Sequence, residues 1–314
     1  MLKTDRAKSG AVSQRDVLVV GADGILGRHL VELVERTGYV VWRTSRRSGS
    51  AGPRCFTLDL AGEAADWRLP PVSPYAAVLC AAAPAVAACE ADPQATARVN
   101  VTGTVTLARL LAAKGVFTVF PSSNMVFDGA RPNCRSDEPV CPCTEYGRQK
   151  ALAEQQLSSL GDRVAIVRFT KILSPDLPLI AGWIEALRSG HEVHPFSDMV
   201  MAPVPVTFAA EVLRQIAERR LPGVFHVSGD RDVSYAEVAR HLASRLGADP
   251  ALVVPVSSES RGLPARAIAK HTTLDTSGTR SVLGMQPPSV WEAIDETFDL
   301  VGERTPGRME RWIT

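Results

Sequence analysis

The sequence predicts a doubly wound α/β fold: a mostly parallel sheet with helices on both faces, and a smaller C-terminal lobe. The main observation is that short β-branched apolar runs alternate with segments of helical spacing. The chain of 314 residues, 45% of them hydrophobic, is also long enough to bury a sizeable core. Because right-handed crossovers bring the C-terminal ends of the strands to one edge of the sheet, we expect a ligand to bind along that edge.

These runs predict the strands and helices in turn. Strands are expected at 16–20, 40–43, a short stretch before Asp59, 76–80, 116–120, 164–168 and 223–227. Helices are expected at 25–34, 92–114 and 145–160, with a loop at 81–92. Asp92-Pro93 suits a helix start, because Asp caps the first turn and Pro lacks an N–H that would have no partner there. Ser234 with Glu237 and Ser289 with Glu292 are typical of capping boxes before two later helices.

The composition excludes several classes of partner. With 35 basic and 34 acidic residues, the net charge of +1 indicates no surface for nucleic acid or an anionic membrane. The six cysteines are spread along the chain and do not form the dense framework of a small secreted domain. Residues 1–15 are polar and lack the apolar stretch of a signal peptide, so they are predicted to be a flexible tail. We therefore predict a cytoplasmic protein with reduced thiols.

A glycine motif follows the first predicted strand and opens the first predicted helix. It reads Gly21-Ala-Asp-Gly24-Ile-Leu-Gly27, in the context that a dinucleotide-binding loop requires. Gly21 allows a tight turn, Gly24 lets backbone N–H groups approach a pyrophosphate, and Gly27 lets the helix pack closely on the strand. The partial positive charge of the helix N-terminus attracts the phosphates further.

The end of the second strand indicates which dinucleotide is bound. An NAD enzyme usually carries an acidic residue there for the ribose 2′-hydroxyl, whereas this chain has Thr44-Ser45-Arg46-Arg47. Guanidinium groups can pair with a 2′-phosphate, which a carboxylate would repel. We therefore predict NADP(H), with Asp59 near the adenine. The alternative is that Arg46 and Arg47 are solvated loop charges.

A pattern for ketone or alcohol redox chemistry occupies the same edge of the predicted sheet. Ser123 follows the strand that ends at Phe120, and Tyr146 and Lys150 share one face of the next helix. A free phenol has a pKa near ~10, and a nearby ammonium should lower the pKa of Tyr146. Tyr146 would then exchange a proton with the substrate oxygen, Ser123 would hold that oxygen, and Lys150 would bond the nicotinamide ribose. The hydride comes from the cofactor.

Longer segments extend this pattern beyond single residues. They are Ala81-Ala-Ala83, Arg98-Val-Asn100-Val-Thr-Gly-Thr104, Pro121 to Gly129, Ala153-Glu154 and Leu274-Asp-Thr-Ser277. Together with the glycine loop and the Tyr/Lys helix, they make the chain resemble an extended short-chain dehydrogenase from Asp16 to Leu300. The resemblance is strongest to the dTDP-4-dehydrorhamnose reductase group.

The resemblance implies both an architecture and a set of site residues. It implies a Rossmann-type NADP-binding domain at 16–173 and 205–229, and a substrate-binding lobe at 174–204 and 230–314. Ser123, Tyr146 and Lys150 become the catalytic set. The cofactor contacts, besides Arg46, Arg47, Asp59, Tyr146 and Lys150, are expected to be Gly21, Gly24, Ile25, Leu26, Gly27, Leu60, Cys80, Ala81, Ala82, Asn100 and Thr170.

The expected substrate is a nucleotide-linked 4-keto-6-deoxysugar. NADPH would supply the hydride and Tyr146 the proton, with Ser123, Asn124 and Met125 contacting the substrate. The reductase group usually carries Thr-Asp-Tyr at these three positions, so the substrate wall differs here. Two alternatives stay open. An epimerase or dehydratase would retain NAD through purification, although Arg46 and Arg47 argue against it. A regulatory subunit, such as the β subunit of methionine adenosyltransferase, would use the cofactor structurally and copurify with a partner enzyme.

Several other residues have competing interpretations. His191-Glu-Val-His194 has no evident third ligand, so no metal is predicted. Cys134, Cys141 and Cys143 are interpreted as ordinary small residues, with a zinc or redox role as the alternative. Trp183 and Phe196 are interpreted as core residues, with stacking on a base or sugar as the alternative. The sequence leaves the oligomeric state open, a homodimer included.

Overall fold

The computed structural model describes residues 15–47, 52–263 and 268–302. The predicted tail therefore lies outside the described residues except for Arg15, as do residues 303–314 of the predicted substrate lobe. The strands in chain order are β1 (Asp16–Val20), β2 (Val40–Ser45), β3 (Cys55–Thr57), β4 (Ala76–Leu79), β5 (Phe117–Ser123), β6 (Val164–Phe169), β7 (Ile172–Leu173), β8 (Val200–Met201), β9 (Val204–Pro205), β10 (Gly223–Val227) and β11 (Val233–Ser234).

The helices flank these strands along the whole described chain. In chain order they are α1 (Ile25–Arg36), α2 (Val86–Ala91), α3 (Pro93–Ala97), α4 (Thr104–Ala113), α5 (Glu145–Leu157), α6 (Pro178–Arg188), α7 (Val206–Arg219), α8 (Tyr235–Leu246), α9 (Ser277–Leu283) and α10 (Val290–Gly302). None of the helices in the described part of the chain is long and apolar enough to cross a membrane.

Seven of the strands form one parallel sheet in the order β10–β6–β5–β4–β1–β2–β3. This arrangement is the predicted Rossmann-type α/β fold. Because β1 and β4 lie at the centre, where the strand order reverses, the loops after these strands face the crevice in which such sheets bind ligands. The glycine loop follows β1, so the sheet places it at this crevice.

Side-chain alternation along β1 explains how the sheet is covered on both faces. Val17 and Val19 point to the face packed against α1 and α7, and Leu18 and Val20 point to the opposite face. All four side chains are buried, as expected of a strand whose sequence is continuously apolar. Helices α4 and α5 cover the second face and so bring the Tyr146 helix onto the sheet.

A third core is built from later parts of the chain. It contains Ile180 and Trp183 of α6, Leu242 of α8 and Ile294 of α10. The Trp183 ring packs edge-on against Tyr235 with centroids 6.4 Å apart, so the core interpretation of Trp183 is the correct one. The division of the chain into two lobes stays a prediction.

The element predictions were mostly confirmed. The expected loop at 81–92 is wrong in part, because α2 occupies Val86–Ala91. The helix predicted at 92–114 does begin after Asp92, whose carboxylate accepts a bond from Ala95 N at 2.9 Å, but a π-helical turn at Arg98–Gly103 interrupts it. Both capping boxes are present, at Ser234 and at Ser289.

Candidate active site

The first and third glycines of the loop are required by close backbone contacts. Gly21 has φ +80°, and a Cβ there would lie 2.6 Å from Ala81 N. A Cβ on Gly27 would lie 2.2 Å from Gly21 O, so α1 can approach the loop only without that carbon. A Cβ on Gly24 would meet only Gly21 O, at 3.4 Å. The cradle at the start of α1 therefore has space over Gly24, which fits the phosphates of a dinucleotide.

The glycine loop is held by the end of β2, which sequence reasoning missed. Thr44 accepts hydrogen bonds from Gly21 N at its hydroxyl (3.2 Å) and from Ala22 N at its carbonyl (2.9 Å). The Ser45 hydroxyl donates to the carboxylate of Asp23, within the loop itself. Two hydroxyl residues in succession at a strand end are the only sequence signal for this anchor.

The two arginines predicted to choose the cofactor lie beside this anchor. Arg46 and Arg47 follow β2 directly and are exposed, and Arg47 N donates to Ser45 Oγ at 3.0 Å. Asp59 instead shapes its own turn: its carboxylate accepts from Ala61 N at 3.0 Å and its carbonyl from the Trp67 indole at 2.8 Å. Contacts of these residues with a cofactor stay predictions.

Ser123 ends β5, three residues beyond the predicted end of that strand. The residue is 9% exposed, and its hydroxyl accepts a hydrogen bond from Met125 N at 3.2 Å. This bond caps the short 3₁₀ turn Asn124–Val126, so it fixes the backbone that follows the strand. The serine thus stands at the same edge of the sheet as the glycine loop.

Helix α5 presents Tyr146 and Lys150 toward this strand end. Thr144 caps the helix by accepting from Gly147 N at 3.1 Å. The Lys150 ammonium lies 5.9 Å from the Tyr146 ring centroid and 4.4 Å from that of Phe120, and it donates to Pro121 O at 2.8 Å. The structure therefore brings the lysine and the tyrosine together beside β5.

The electrostatics of the pair differ from the expectation. Burial lowers the pKa of Lys150 to about 8, although the Glu154 carboxylate opposes this shift. Burial also raises the pKa of Tyr146 above its ordinary value, with a smaller contribution from Cys89. The expectation that Lys150 lowers the tyrosine pKa is wrong for the protein without cofactor, because desolvation of the phenolate dominates. A phenol that stays protonated suits a proton donor.

Gly147 lets α5 pack against the segment after Ser123. A Cβ at this position would lie 2.0 Å from Met125 O, a contact that no side chain can make. The glycine thus allows the first turn of α5 to approach the backbone that follows Ser123. Sequence reasoning missed it, because a glycine inside a helix usually signals only a weak helix.

We expect Gly147→Ala to lower turnover by roughly 10-fold or more, because α5 must move away from Met125. The overpacking should also destabilise the fold by about 1–3 kcal/mol. Gly182→Ala in α6 is the matched control, since a Cβ there meets nothing within 4 Å. Steady-state kinetics and thermal melts of both variants decide the matter. Equal turnover in the two would show that Gly147 does not position the helix.

Some predicted cofactor residues serve the protein's own framework. The Thr170 hydroxyl donates to Ala202 O, and its N–H donates to Val227 O at 3.0 Å. The Asn100 amide bonds both backbone groups of Ala83 and the side chain of Gln149, so Asn100 acts on the crevice through the loop after β4. Burial raises the pKa of Cys80, at the start of that loop, to about 12, which leaves it an unreactive thiol.

An open cleft lies beside the segment that follows Ser123 and the cap of helix α5. Asn124, Met125 and Thr144 line its inner wall, and His271 and Thr272 belong to the opposite wall. Asp232 holds that opposite wall in place. Its carboxylate accepts from Thr272 N at 2.8 Å and lies 3.1 Å from His271 Nδ1. The cleft is thus lined by two of the three predicted substrate residues, Asn124 and Met125. Sequence reasoning missed the residues of its opposite wall.

A buried ion pair contacts the strand end that carries Ser123. Glu154 and Arg168 form a salt bridge of 2.7 Å, with each side chain 6% exposed. Glu154 also accepts the hydroxyl of Ser122, the neighbour of Ser123. Arg168 contacts His226 Nε2 at 3.2 Å and donates to Ser136 O at 3.3 Å. Burial, followed by the nearby guanidinium, lowers the pKa of His226 to about 4, so this imidazole is neutral.

This sheet, with its cradle after β1 and a tyrosine and lysine at the end of β5, defines an extended short-chain dehydrogenase/reductase. More narrowly, the chain belongs to the RmlD substrate binding domain family, whose model matches residues 15–302.

Comparison with individual proteins gives relatives with two kinds of function. The chain is 30% identical to the dTDP-4-dehydrorhamnose reductase of Streptomyces griseus over 305 residues, covering 92% of this chain and 96% of the relative. It is 27% identical to methionine adenosyltransferase 2 subunit beta of Xenopus laevis over 275 residues, covering 81% and 79%. The crystal structure of a Bacillus anthracis dTDP-4-dehydrorhamnose reductase in complex with NADP superposes with a TM-score of 0.79 at 22% identity, covering 91% of this chain and 99% of that one.

Proposed function

We propose that the protein is an NADP(H)-dependent oxidoreductase that reduces a nucleotide-linked 4-keto-6-deoxysugar. The observation that carries the proposal is the placement of Tyr146 and Lys150 beside the end of β5, the strand that carries Ser123 and ends at the same sheet edge as the glycine loop. Membership of a family that includes sugar-nucleotide reductases supports it.

Each residue of the set has a separate chemical task in this proposal. Tyr146 donates its proton to the carbonyl oxygen of the substrate, and its raised pKa keeps that proton in place beforehand. Lys150 has three donors and uses one on Pro121 O, so others remain for the ribose and for stabilising the phenolate as it forms. Ser123 donates to the carbonyl oxygen. The bound cofactor supplies the hydride.

The proposed preference for NADP(H) rests on charge at the end of β2. Arg46 and Arg47 are exposed there, and the Asp23 carboxylate nearby is already engaged by the Ser45 hydroxyl. Two guanidinium groups therefore follow β2 near the position expected for a 2′-phosphate. The NADP bound to the Bacillus anthracis relative agrees with this choice.

A defined pH dependence follows from the Lys150 pKa. The ammonium is present below about pH 8 and is lost as the pH rises through that value, whereas Tyr146 keeps its proton. We expect kcat/KM for reduction to be level at lower pH and to fall toward tenfold per pH unit above about pH 8. A profile measured from about pH 6 to about pH 10 tests this expectation. A level profile throughout would remove Lys150 from the proposed role.

The decisive experiment for the function is a substrate screen. NADPH and NADH consumption is measured with a panel of nucleotide-linked keto sugars that vary in nucleotide, deoxygenation and configuration. Turnover with NADPH on a 4-keto-6-deoxysugar is the expected result. NAD that stays bound through purification, together with interconversion of sugar nucleotides without net oxidation, would instead establish an epimerase or dehydratase.

A regulatory subunit is the second candidate function. It is favoured by the similarity to methionine adenosyltransferase 2 subunit beta over 81% of the chain and by the altered triplet Ser123-Asn124-Met125 at the end of β5. The two candidates differ in a direct way. Binding of NADPH without consumption on any substrate of the panel, together with constant recovery of one partner enzyme, would establish the regulatory role.

A further inference from the structure

Two fully buried amide side chains connect the loop after β4 to the helix that carries Tyr146 and Lys150. Asn100 is 1% exposed and Gln149 is 0% exposed. Buried amides are costly unless their polar atoms are bonded inside the protein. Here each amide bonds the other, and the remaining bonds run in opposite directions from the pair.

One direction leads to the cofactor crevice. Asn100 Oδ1 accepts from Ala83 N at 2.8 Å, and Asn100 Nδ2 donates to Ala83 O at 3.0 Å. The loop 81–83 lies directly against the glycine loop, since a Cβ on Gly21 would be 2.6 Å from Ala81 N. Asn100 therefore fixes the backbone that closes one side of the cradle.

The other direction leads to the catalytic helix. Asn100 Nδ2 also donates to Gln149 Oε1 at 2.8 Å. Gln149 Nε2 in turn has three acceptors, Pro93 O at 3.1 Å, Thr96 Oγ1 at 3.0 Å and Glu145 Oε1 at 2.8 Å. Gln149 sits between Tyr146 and Lys150 in sequence, so these bonds fix the rotation and height of α5.

The helix that holds Asn100 is itself locked in position. Asn100 belongs to the π-helical turn Arg98–Gly103, and such a turn changes the direction in which the helix presents its side chains. At the end of the turn, a Cβ on Gly103 would lie 2.1 Å from Leu60 O, so the helix packs against that backbone through a glycine. Asn100 is therefore held in a fixed position, from which it contacts both the loop 81–83 and Gln149 of α5.

We propose that Gln149 is a positioning residue, which together with Asn100 sets the distance between the cofactor-side loop and Tyr146. This inference rests on the proposed function, because its consequence is the placement of the proton donor over the bound cofactor. Neither side chain touches the reacting atoms. The contacts of Asn100 with Ala83 govern cofactor binding, and the contacts of Gln149 within and around α5 govern turnover.

The test compares Gln149→Met with Gln155→Met. Methionine keeps the length of the side chain and removes its hydrogen bonds, and Gln155 lies on the exposed side of the same helix. Gln149→Met should lower kcat roughly 10-fold or more, with the Kd for NADPH within about 3-fold of the original because Asn100 still holds Ala83. Asn100→Leu should raise the Kd for NADPH roughly 10-fold. Gln155→Met should leave both quantities unchanged.

A second readout works without any substrate. In the NADPH complex, amide hydrogen exchange should accelerate at 145–150 in Gln149→Met and stay unchanged there in Gln155→Met. Should Gln149→Met not fold, Thr96→Val removes one of its partners and is expected to give a smaller change in the same direction. Absence of turnover in the unaltered protein would contradict the proposed function alone, because exchange and NADPH affinity still report on the connection.

Two results would overturn the inference. One is equal kcat and equal exchange at 145–150 in Gln149→Met and Gln155→Met. The other is a parallel loss of NADPH affinity and turnover in Gln149→Met, as large as in Asn100→Leu, which would mean general loosening and no division between the two ends.

Discussion

Replacement of Tyr146 by phenylalanine is expected to lower NADPH-dependent turnover by about 10³-fold, the range that a general acid contributes. The ring centroid of the half-buried Tyr146 lies 5.9 Å from the Lys150 ammonium. The phenol keeps its proton because burial raises the pKa of Tyr146. Phenylalanine retains the ring and its packing but has no proton to donate. Binding of NADPH should therefore change little, since the glycine loop and the end of β2 are untouched.

The measurements are single-turnover reduction rates and the Kd for NADPH from fluorescence. Tyr235→Phe serves as the matched control, because that ring packs on Trp183 in the third core. The control is expected to keep full turnover. An equal loss of NADPH affinity and turnover in Tyr146→Phe would contradict the assigned role, as would turnover that survives the change.

Replacement of Arg168 by methionine should destabilise the protein by about 3–5 kcal/mol, because it leaves a carboxylate buried without its partner. The side chains of Glu154 and Arg168 are each only 6% exposed, and three guanidinium-to-carboxylate contacts lie between 2.7 and 3.2 Å. Glu154 also receives the Ser122 hydroxyl, so the strand end that carries Ser123 should loosen as well.

Chemical denaturation with a two-state fit measures this effect. The exposed pair Arg135–Asp137 is the matched control, and Arg135→Met is expected to leave the denaturation midpoint unchanged. The double variant Glu154→Met/Arg168→Met removes both charges and should recover most of the lost stability. If Arg168→Met proved as stable as the original, or the double variant proved less stable than the single one, the ion pair would not stabilise the strand end that carries Ser123.

Much of the fold was predictable from local patterns. Seven short apolar runs predicted the strands of the sheet, and the burial of Val17 to Val20 on alternating faces agrees with a strand covered on both faces. The interruption at Arg98–Gly103 was not predicted, because π-helical turns are rare and occur inside α-helices, so the apolar pattern at 92–114 was interpreted as one continuous helix. The short helix α2 was missed because it has only six residues and no side chain caps its N-terminus.

Some residues of the candidate site were likewise predictable from local patterns, and others were not. Gly21, Gly27, Tyr146 and Lys150 were found from spacing, since a turn and a helix face are local features. The packing of Gly147 on Met125 was not found, because the two residues come together only when α5 docks on the end of β5. The direction of the Tyr146 pKa was misjudged for the same reason: the sequence suggests a nearby ammonium, but burial decides the shift.

The sequence by itself determined the order of strands and helices along the chain and the glycine cradle after β1, and it supplied the candidates for the reacting side chains, because periodicity, turn chemistry and helix faces act over a few residues. Only the tertiary structure decided how these parts are held: Asn100 against Gln149, Glu154 against Arg168, and the segment at 269–274 across the cleft. Each of these contacts joins residues at least fourteen positions apart in sequence. Their energies depend on burial, which no local pattern specifies.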